Sequence, residues 1–380
     1  MPYFCTIYTT KVGERMLSFF KHSVFGLALV LSVASTHTAQ AASPQTPPAK
    51  IEPKVIIVTG WENGADMGDA PGEYQFWVER LHLNQTVPLA GIKTQVLRRN
   101  TDGVYGIVLK DGVTDLIALA LDPAFDLHHT YWLFTGISGV NPNVASAGSV
   151  AWARWVVDAD ALREIDDRTI PSNWPYGLYA IGANAPNTLP SDPNHYGSVT
   201  DVAELTKAYP LNQQLEHWAY TLSRTVTLHD APAIAAQRQN WKGYPNAQKK
   251  PFILEGETLG AYRYWHGAQR NQWAEDWVKL WTKNRGVFVM TNEESQINQR
   301  EMRVLAQQGY IDPDRIMVLR SGSNFSMPPR NQDITHSIGD EEPGQVVAFD
   351  NNERAGEPVV KALVKQWPLY REHIPGIQAP

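Results

Sequence analysis

A loop rich in carboxylates follows the first apolar segment in the body of this chain. The segment 54–60 is β-branched and ends at glycine, and residues 60–73 then contain four acidic residues and no arginine: Glu62, Asp66, Asp69 and Glu73. A carboxylate in such a loop can hold a water molecule and accept a proton from it. Phosphate is best bound by arginine. The loop therefore favours water over phosphate as a reacting partner.

Motifs of several other chemistries do not occur in the sequence. There is no GxxxxGK[ST], no GxGxxG after a strand, no HExxH and no GxSxG. No histidine among His128, His129 and His195 has a partner at metal-ligand spacing. A group of aspartates lacks the glycine and glutamate of a calcium loop and is interpreted as a solvated acidic face: Asp158, Asp160, Asp166 and Asp167. We therefore expect neither a metal nor a cofactor.

Apolar segments alternate with amphipathic ones, which predicts an α/β fold with a mainly parallel or mixed sheet. The predicted strands are 54–60, 101–109, 130–134, 149–158, 251–254, 287–290 and 315–319. The predicted helices are 75–83, 115–121, 211–223, 231–238, 272–283, 293–308 and 358–364, the last with Pro358 in its first turn. Loops are expected at 63–73, 135–142, 171–210 and 320–325. Nothing divides 54–380, so we expect a single domain.

Composition and charge exclude some classes of partner. The chain has 380 residues, of which 43% are hydrophobic and 19% charged, and its formal net charge is -6. A mildly acidic protein is not expected to bind a nucleic-acid backbone. The single cysteine, Cys5, permits no disulfide within the chain and no cysteine-based zinc site.

The first 41 residues are predicted to be a signal peptide. Lys21 supplies positive charge, residues 24–34 are apolar, and Ala39-Gln40-Ala41 is a small-x-small cleavage site. Residues 42–53 form a Pro-rich lead-in. No later apolar run approaches the length of a membrane span, about 20 residues. We therefore expect a periplasmic or secreted protein that begins at Ala42. An uncleaved anchor is the alternative.

Three sequence blocks together resemble the purine nucleoside permease family, which is in turn similar to the nucleoside phosphorylase and nucleosidase superfamily. Residues 131–142 with 148–150 resemble its strand, glycine loop and following strand. Residues 287–295 resemble the turn that carries a ribose-binding glutamate, and Arg320-Ser-Gly-Ser-Asn-Phe325 resembles the purine-recognising turn. The resemblance implies a nucleoside-phosphorylase-like fold, a three-layer arrangement with a central sheet flanked by helices.

This resemblance assigns residues to a nucleoside. Glu294 would bind the ribose hydroxyls, with Met290 and His266 as further ribose contacts; for His266 a satisfied loop histidine is the alternative. Asn324 would recognise the base and, as a catalytic residue, assist its departure by hydrogen bonding, because an amide is not an acid. Further base contacts are Phe325, Trp265 and Gly139. For Phe325, Trp265 and Met290, ordinary core packing is the alternative.

The nucleophile remains open between water and phosphate. Residues 73–77 resemble the family's Glu-x-x-x-Trp stretch, so Glu73 is the candidate catalytic carboxylate that holds water. Arg154 is the candidate anion contact, with a surface charge on a strand as the alternative. The structural alternative for Glu73 is a solvated loop acid. The structural alternative for Glu294 is a carboxylate that stabilises a helix N-terminus.

Two functions follow from this assignment. The first is an enzyme that binds purine nucleosides and cleaves the N-ribosyl bond, as a hydrolase rather than a phosphorylase. The second is a non-catalytic nucleoside-binding protein in purine nucleoside uptake, which needs neither nucleophile nor acid. Analogy with the superfamily also implies a homo-oligomer.

Overall fold

A mixed sheet of twelve strands forms the centre of the computed structural model, which describes residues 49–92, 95–160, 162–190, 207–338 and 342–377. The strands in chain order are β1 Val55–Thr59, β2 Gln85–Pro88, β3 Val96–Arg99, β4 Val104–Val108, β5 Tyr131–Val140, β6 Val150–Trp152, β7 Trp155–Asp158, β8 Leu162–Glu164, β9 Leu178–Ala180, β10 Ala208–Pro210, β11 Ile253–Glu255, β12 Glu257–Gly260, β13 Phe288–Asn292 and β14 Ile316–Phe325. Strands β8 and β9 pair separately as a hairpin.

The sheet order is β10-β7-β12-β13-β5-β1-β4-β3-β2. Three further strands lie off this path: β14 pairs with β5, β6 pairs with β14, and β11 pairs with β6. The pairs of β1 with β4, β1 with β5 and β5 with β14 are parallel. Strand β13 runs antiparallel to β5. The two strands pair only at the carboxyl-terminal end of β5, where Met290 pairs with Val140. The carboxyl ends of β1, β4, β5 and β14 therefore lie at one edge, where open α/β sheets bind ligands.

Helices cover both faces of the sheet: α1 Gln75–Arg80, α2 Val113–Leu121, α3 Gln213–Ser223, α4 Pro232–Arg238, α5 Ala268–Trp281, α6 Ser295–Gln307, α7 Glu342–Lys365 and α8 Trp367–Tyr370. Alternate residues of β1 point to opposite layers. Ile56 and Val58 pack in a cluster with α2 and α6, and Val55 and Ile57 pack in a cluster with α1, α3 and α7. The predicted three-layer α/β fold is confirmed.

Four segments differ from the sequence-based prediction. The predicted glycine loop at 135–142 and the predicted turn at 320–325 are mainly the second halves of β5 and β14, because the two strands pair along almost their whole length. The predicted strand 149–158 is broken into β6 and β7 before Trp155. The predicted loop 171–210 contains β9 and β10.

The last long helix starts much earlier than the sequence predicted. Helix α7 has 24 residues, with Pro358 inside it rather than in its first turn. Ala355, Val359 and Val360 lie on either side of Pro358 and are fully buried in the core. Their burial offsets the cost of the missing N–H at proline.

The predicted signal peptide, its cleavage site and Cys5 lie outside the described residues, as does the lead-in up to residue 48. Residues 49–380 form one compact unit. Among the described helices, none combines the length and apolar character that a membrane span requires.

Candidate active site

A cavity of about 670 Å³ opens at the edge where the parallel strands end. Its walls come from the loops after β1 and β4, the second halves of β5 and β14, the segment after β12, the β13–α6 turn and the first turn of α7. The side chains that the following argument uses are Trp61, Glu73, Trp265, Glu294, Asn324 and Gln345.

Glu73 is a buried carboxylate held by the backbone at the cavity wall. One oxygen, Oε2, accepts the N–H groups of Gly60 at 3.0 Å and Trp61 at 3.2 Å, and Oε1 accepts the N–H of Ile137 at 2.7 Å. Burial raises the pKa of the Glu73 carboxyl to about 7, and the nearby Glu294 carboxylate acts in the same direction. Arg320 and the backbone donors partly oppose the rise. The group can therefore exchange a proton near neutral pH.

The other acids of the same loop have structural partners. Glu62 accepts the N–H groups of Tyr74 at 2.7 Å and Gln75 at 2.6 Å, and so holds the start of α1. Asp66 pairs with Arg98 at 2.6 Å. Of the four carboxylates that the sequence offered in this loop, only Glu73 lines the cavity.

Arg320 lies close to both Glu73 and Glu294. The side chain of Arg320 is 2% exposed, forms an ion pair with Glu294 Oε1, and donates from Nη2 to Ser295 Oγ at 2.7 Å. A Cβ on Gly136 would lie 2.5 Å from both Arg320 Nη1 and Glu73 Oε1, so these two atoms are at most 5.0 Å apart. Because residue 136 is glycine, the Glu73 carboxylate can lie this close to the guanidinium that pairs with Glu294.

Glu294 is positioned by the start of α6. The side chain of Asn292 accepts the N–H of Ser295 at 2.9 Å and of Glu294 at 3.3 Å, which fixes the turn between β13 and the helix. The Glu294 side chain is about one-third exposed and lines the cavity. Its carboxylate can thus accept hydrogen bonds from ligand hydroxyl groups while it remains paired with Arg320.

The neutral part of the cavity wall centres on Asn324. The register of β14 against β5 shifts between Gly322 and Asn324, and this bulge leaves Ser323 without a pairing partner in β5. The carboxamide of Asn324 accepts the Ser323 hydroxyl at 2.8 Å and faces Gly139, where a Cβ would lie 2.9 Å from Thr291. Trp265 adds an indole to the same cavity. An amide beside an aromatic wall suits a planar heterocycle.

The cavity contains five of the nine residues predicted for the site: Glu73, Glu294, Asn324, Trp265 and Gly139. Met290 and Phe325 lie instead in the core, where the Phe325 ring packs 4.1 Å from that of Trp241. His266 bonds through Nε2 to Ser337 at 2.7 Å, and burial lowers its pKa to about 4. These three residues are not among those that line the cavity.

Arg154, the predicted anion contact, bonds to a buried carboxylate. Its guanidinium donates to Glu257 Oε1 from Nε at 3.1 Å and from Nη2 at 2.8 Å, and it does not line the cavity. The break between β6 and β7 brings the Arg154 backbone N–H to the same carboxylate at 3.1 Å. Arg154 is thus a partner of Glu257.

Sequence reasoning missed Arg320 and the contribution of α7. The available signal was the position of Arg320 within the strand-like block 315–325. An arginine in a buried strand needs a carboxylate partner, which would have indicated an ion pair at this place. Gln345 at the start of α7 lines the cavity, and Phe349 one turn later packs its ring 5.6 Å from that of Trp61. No local pattern indicated that this helix would border the site.

Comparison with known proteins identifies relatives along most of the chain. The profile of the purine nucleoside permease (NUP) family matches residues 52–375. A probable purine nucleoside permease of Schizosaccharomyces pombe is 27% identical over 330 residues, 83% of this chain and 90% of that protein. A purine nucleoside permease of Candida albicans is 25% identical over 374 residues, 95% of this chain and 87% of that protein.

Solved structures of a hydrolase and of a nucleosidase are also similar. Futalosine hydrolase of Helicobacter pylori has a TM-score of 0.45 and 12% identity, covering 82% of this chain and 98% of that one. The 5'-methylthioadenosine/S-adenosylhomocysteine nucleosidase of Neisseria meningitidis has a TM-score of 0.46 and 13% identity, covering 81% and 99%. Since the family profile spans most of the chain, this protein belongs to the purine nucleoside permease family.

Proposed function

We propose that the cavity binds a purine nucleoside and hydrolyses its N-ribosyl bond. The observation that carries the proposal is Glu73, a buried carboxylate at the cavity wall whose pKa is raised to about 7. Most carboxylates are too acidic to take a proton from water efficiently, whereas a pKa near the working pH suits a general base. The names of the two permease relatives support a purine nucleoside as the ligand.

In the proposed reaction, Glu73 accepts a proton from a water molecule as the water oxygen bonds to C1' of the ribose. The C1'–N9 bond breaks and its electron pair leaves with the purine, which then takes a proton from solvent. Glu294 binds the ribose hydroxyls, and its negative charge favours the cationic character of the sugar in the transition state. Asn324 donates a hydrogen bond to the departing base but no proton.

Water suits this site better than phosphate because the nearest buried cation is already engaged. Arg320 pairs with Glu294 and bonds to Ser295, and Glu73 lies on its other side. A phosphate dianion next to Glu73 would meet the Glu73 and Glu294 carboxylates and one guanidinium, whereas the other cations of the cavity wall, Lys110 and Arg263, lie in the loop after β4 and the segment after β12. A neutral water molecule meets no such repulsion.

The second candidate function is binding without cleavage, in purine nucleoside uptake. Asn324 favours it, because an amide in this position can bind a base without supplying the acid that would speed its departure. The family name favours it as well. Such a protein would use Glu294, Asn324 and Trp265 and have no need of a water held by Glu73.

The test is release of free base by the purified protein from inosine, guanosine and adenosine, with and without phosphate, followed by chromatography. Base released without phosphate is the expected result. Glu73→Gln should slow the release by about 10²–10⁴-fold, whereas Asp69→Asn, which changes an exposed acid of the same loop, should leave it unchanged. Saturable nucleoside binding without base release would favour the uptake function, and release only with phosphate would overturn the choice of water.

Export also belongs to the proposal. The signal-peptide pattern of residues 1–41 supports a periplasmic or secreted mature protein that begins at Ala42. Amino-terminal sequencing of the protein from its native cell should begin at Ala42. A chain that retains residues 16–41 would contradict this and favour the anchor.

A further inference from the structure

The buried face of α7 reaches the candidate active site through a residue that does not line the cavity. Asn352 lies near the middle of the helix and is 2% exposed. Its side-chain Nδ2 donates to the carbonyl oxygen of Gly136 in β5 at 2.8 Å. The other side-chain atom, Oδ1, has no hydrogen-bond partner among the described residues. Asn352 therefore contacts β5 through Nδ2.

The Gly136 carbonyl belongs to the same peptide group as the N–H of Ile137. That N–H donates to Glu73 Oε1 at 2.7 Å. Because a peptide group is planar, its C=O and N–H point in opposite directions and turn together. Asn352 and Glu73 therefore hold the two ends of one rigid group, and a hydrogen bond to the carbonyl also polarises the N–H that Glu73 receives.

We propose that Asn352 is a positioning residue that holds the Glu73 carboxylate in place for its reaction with water, acting through the Gly136–Ile137 peptide group. The inference rests on the proposed hydrolysis, in which Glu73 takes the proton. Gly136 has no side chain to resist rotation of this peptide, and a Cβ there would collide with Glu73 and Arg320. The space that lets the charged groups meet also leaves the peptide in need of an external anchor.

The neighbouring Asn351 provides a matched control. It is equally buried and also donates to backbone carbonyls, those of Gly148 at 2.8 Å and His229 at 3.0 Å. Neither carbonyl belongs to a peptide that contacts Glu73. Asn351 also accepts the N–H of His229 at 2.6 Å, so a purely structural role for buried asparagines in α7 predicts at least as large an effect at Asn351. A positioning role predicts a shift of the Glu73 pKa at Asn352 alone.

The charged groups near these residues define what a pH profile will report. Glu73 is influenced by Glu294 and Arg320. On α7, Asp350 and Glu353 both pair with Arg80. Asp350 also pairs with Arg354 and His229. Burial raises the pKa of Glu353 to about 7, so its titration must be separated from that of Glu73. The Glu353→Gln background removes that contribution.

The experiment compares base release by Asn352→Leu and Asn351→Leu across pH, with Asn352→Ala and Asn351→Ala replacing any variant that does not fold. Without its anchor the Ile137 N–H stabilises the charged form of Glu73 less, so its pKa rises further. We expect kcat to fall about 10-fold in the Asn352 variant and the midpoint of its acid limb to move up by about 1 pH unit, with KM nearly unchanged. The Asn351 variant should keep the wild-type midpoint.

An unchanged midpoint in the Asn352 variant, or an equal shift in both variants, would overturn the proposal. Carbon-13 NMR titration of the glutamate carboxyls, with Glu73 assigned by its absence from Glu73→Gln, measures the same shift without turnover. If the wild type releases no base, the proposed hydrolysis fails. The NMR comparison of the Asn352 and Asn351 variants then still decides whether Asn352 controls Glu73.

Discussion

Two buried carboxylate–arginine sites in this protein differ in how fully their charges are paired. Glu257 is fully buried, and its two oxygens accept four N–H groups, three from Arg154 and one from Trp155. Glu73 shares Arg320 with a second carboxylate, Glu294, and lies at the wall of a cavity.

Burial raises the carboxyl pKa in both sites, so burial alone does not distinguish them. The differences lie in the donors and in the access: Glu257 bonds directly to the Arg154 guanidinium, whereas Glu73 accepts backbone N–H groups and borders a space open to a ligand. A fully paired carboxylate holds the backbone together, whereas an incompletely paired one at a cavity can bind and exchange protons with a ligand. The comparison teaches that pairing and access together decide which buried acid can do chemistry.

Arg320→Met should have the largest effect, because it leaves two carboxylates close together without their cation. We expect a loss of about 3–5 kcal/mol in the free energy of unfolding and no measurable base release. Urea unfolding and the base-release assay measure the two effects. A stable and active Arg320→Met protein would show that the shared guanidinium does not organise the site.

Glu73→Gln and Glu257→Gln should separate the two sites. Glu73→Gln removes the proposed base, so kcat should fall about 10²–10⁴-fold while the protein stays folded. Glu257→Gln places an amide N–H₂ among the donors of Arg154 and Trp155 and should lower stability by about 1–3 kcal/mol. The kcat of its folded fraction should equal that of the wild type. Equal losses of kcat in both variants would erase the distinction.

The pH dependence of activity should report the incompletely paired site. The Glu73 pKa is raised from 4.5 to about 7 in the folded protein. Since the base must be deprotonated in the free protein, kcat/KM should rise with pH through a midpoint near 7 and reach a plateau above it. Steady-state rates between pH 5 and 9 test this. A profile flat across pH 7 would contradict the assignment of Glu73 as the base.

The same raised pKa predicts a change in stability. The folded state binds the Glu73 proton more tightly than the unfolded state, so Glu73 contributes most stability below pH 4.5. That contribution is lost as pH rises from 4.5 to about 7. The free energy of unfolding of the wild type relative to Glu73→Gln should therefore decrease over this window in urea titrations. An increase would indicate that hydrogen bonding to the charged form outweighs burial.

The smallest effect is expected from Gln345→Ala, which removes a neutral cavity group without disturbing either ion pair. Gln345 lines the cavity from the first turn of α7. Loss of one hydrogen bond to a ligand should weaken nucleoside binding about 3–10-fold with little change in kcat. Calorimetric binding with Glu73→Gln as the inactive background measures it. A large fall in kcat would mean that α7 does more than bind.

Much of the fold could be predicted from the sequence because its signals are local. The β-branched run at β1, the amphipathic pattern of α6 and the proline that starts α4 specify their own conformations. The boundaries of β5 and β14 were missed because glycine and serine look like a loop until a partner strand lies alongside. The predicted length of helix α7 was too short because Pro358 was interpreted as the start of the helix. The burial of its neighbours, which stabilises a proline inside the helix, is not visible in the sequence.

The sequence by itself determined the family blocks, the alternation of strands and helices, and the carboxylates available near the strand ends. Only the tertiary structure decided which of these meet. Glu73 and Arg320 lie far apart in the chain and come together through the parallel register of β1, β5 and β14. Arg154 and Glu257 meet in the same way at another place in the sheet. Residue type and local pattern define what a side chain can do, but the pairing of strands distant in sequence defines which charges it faces.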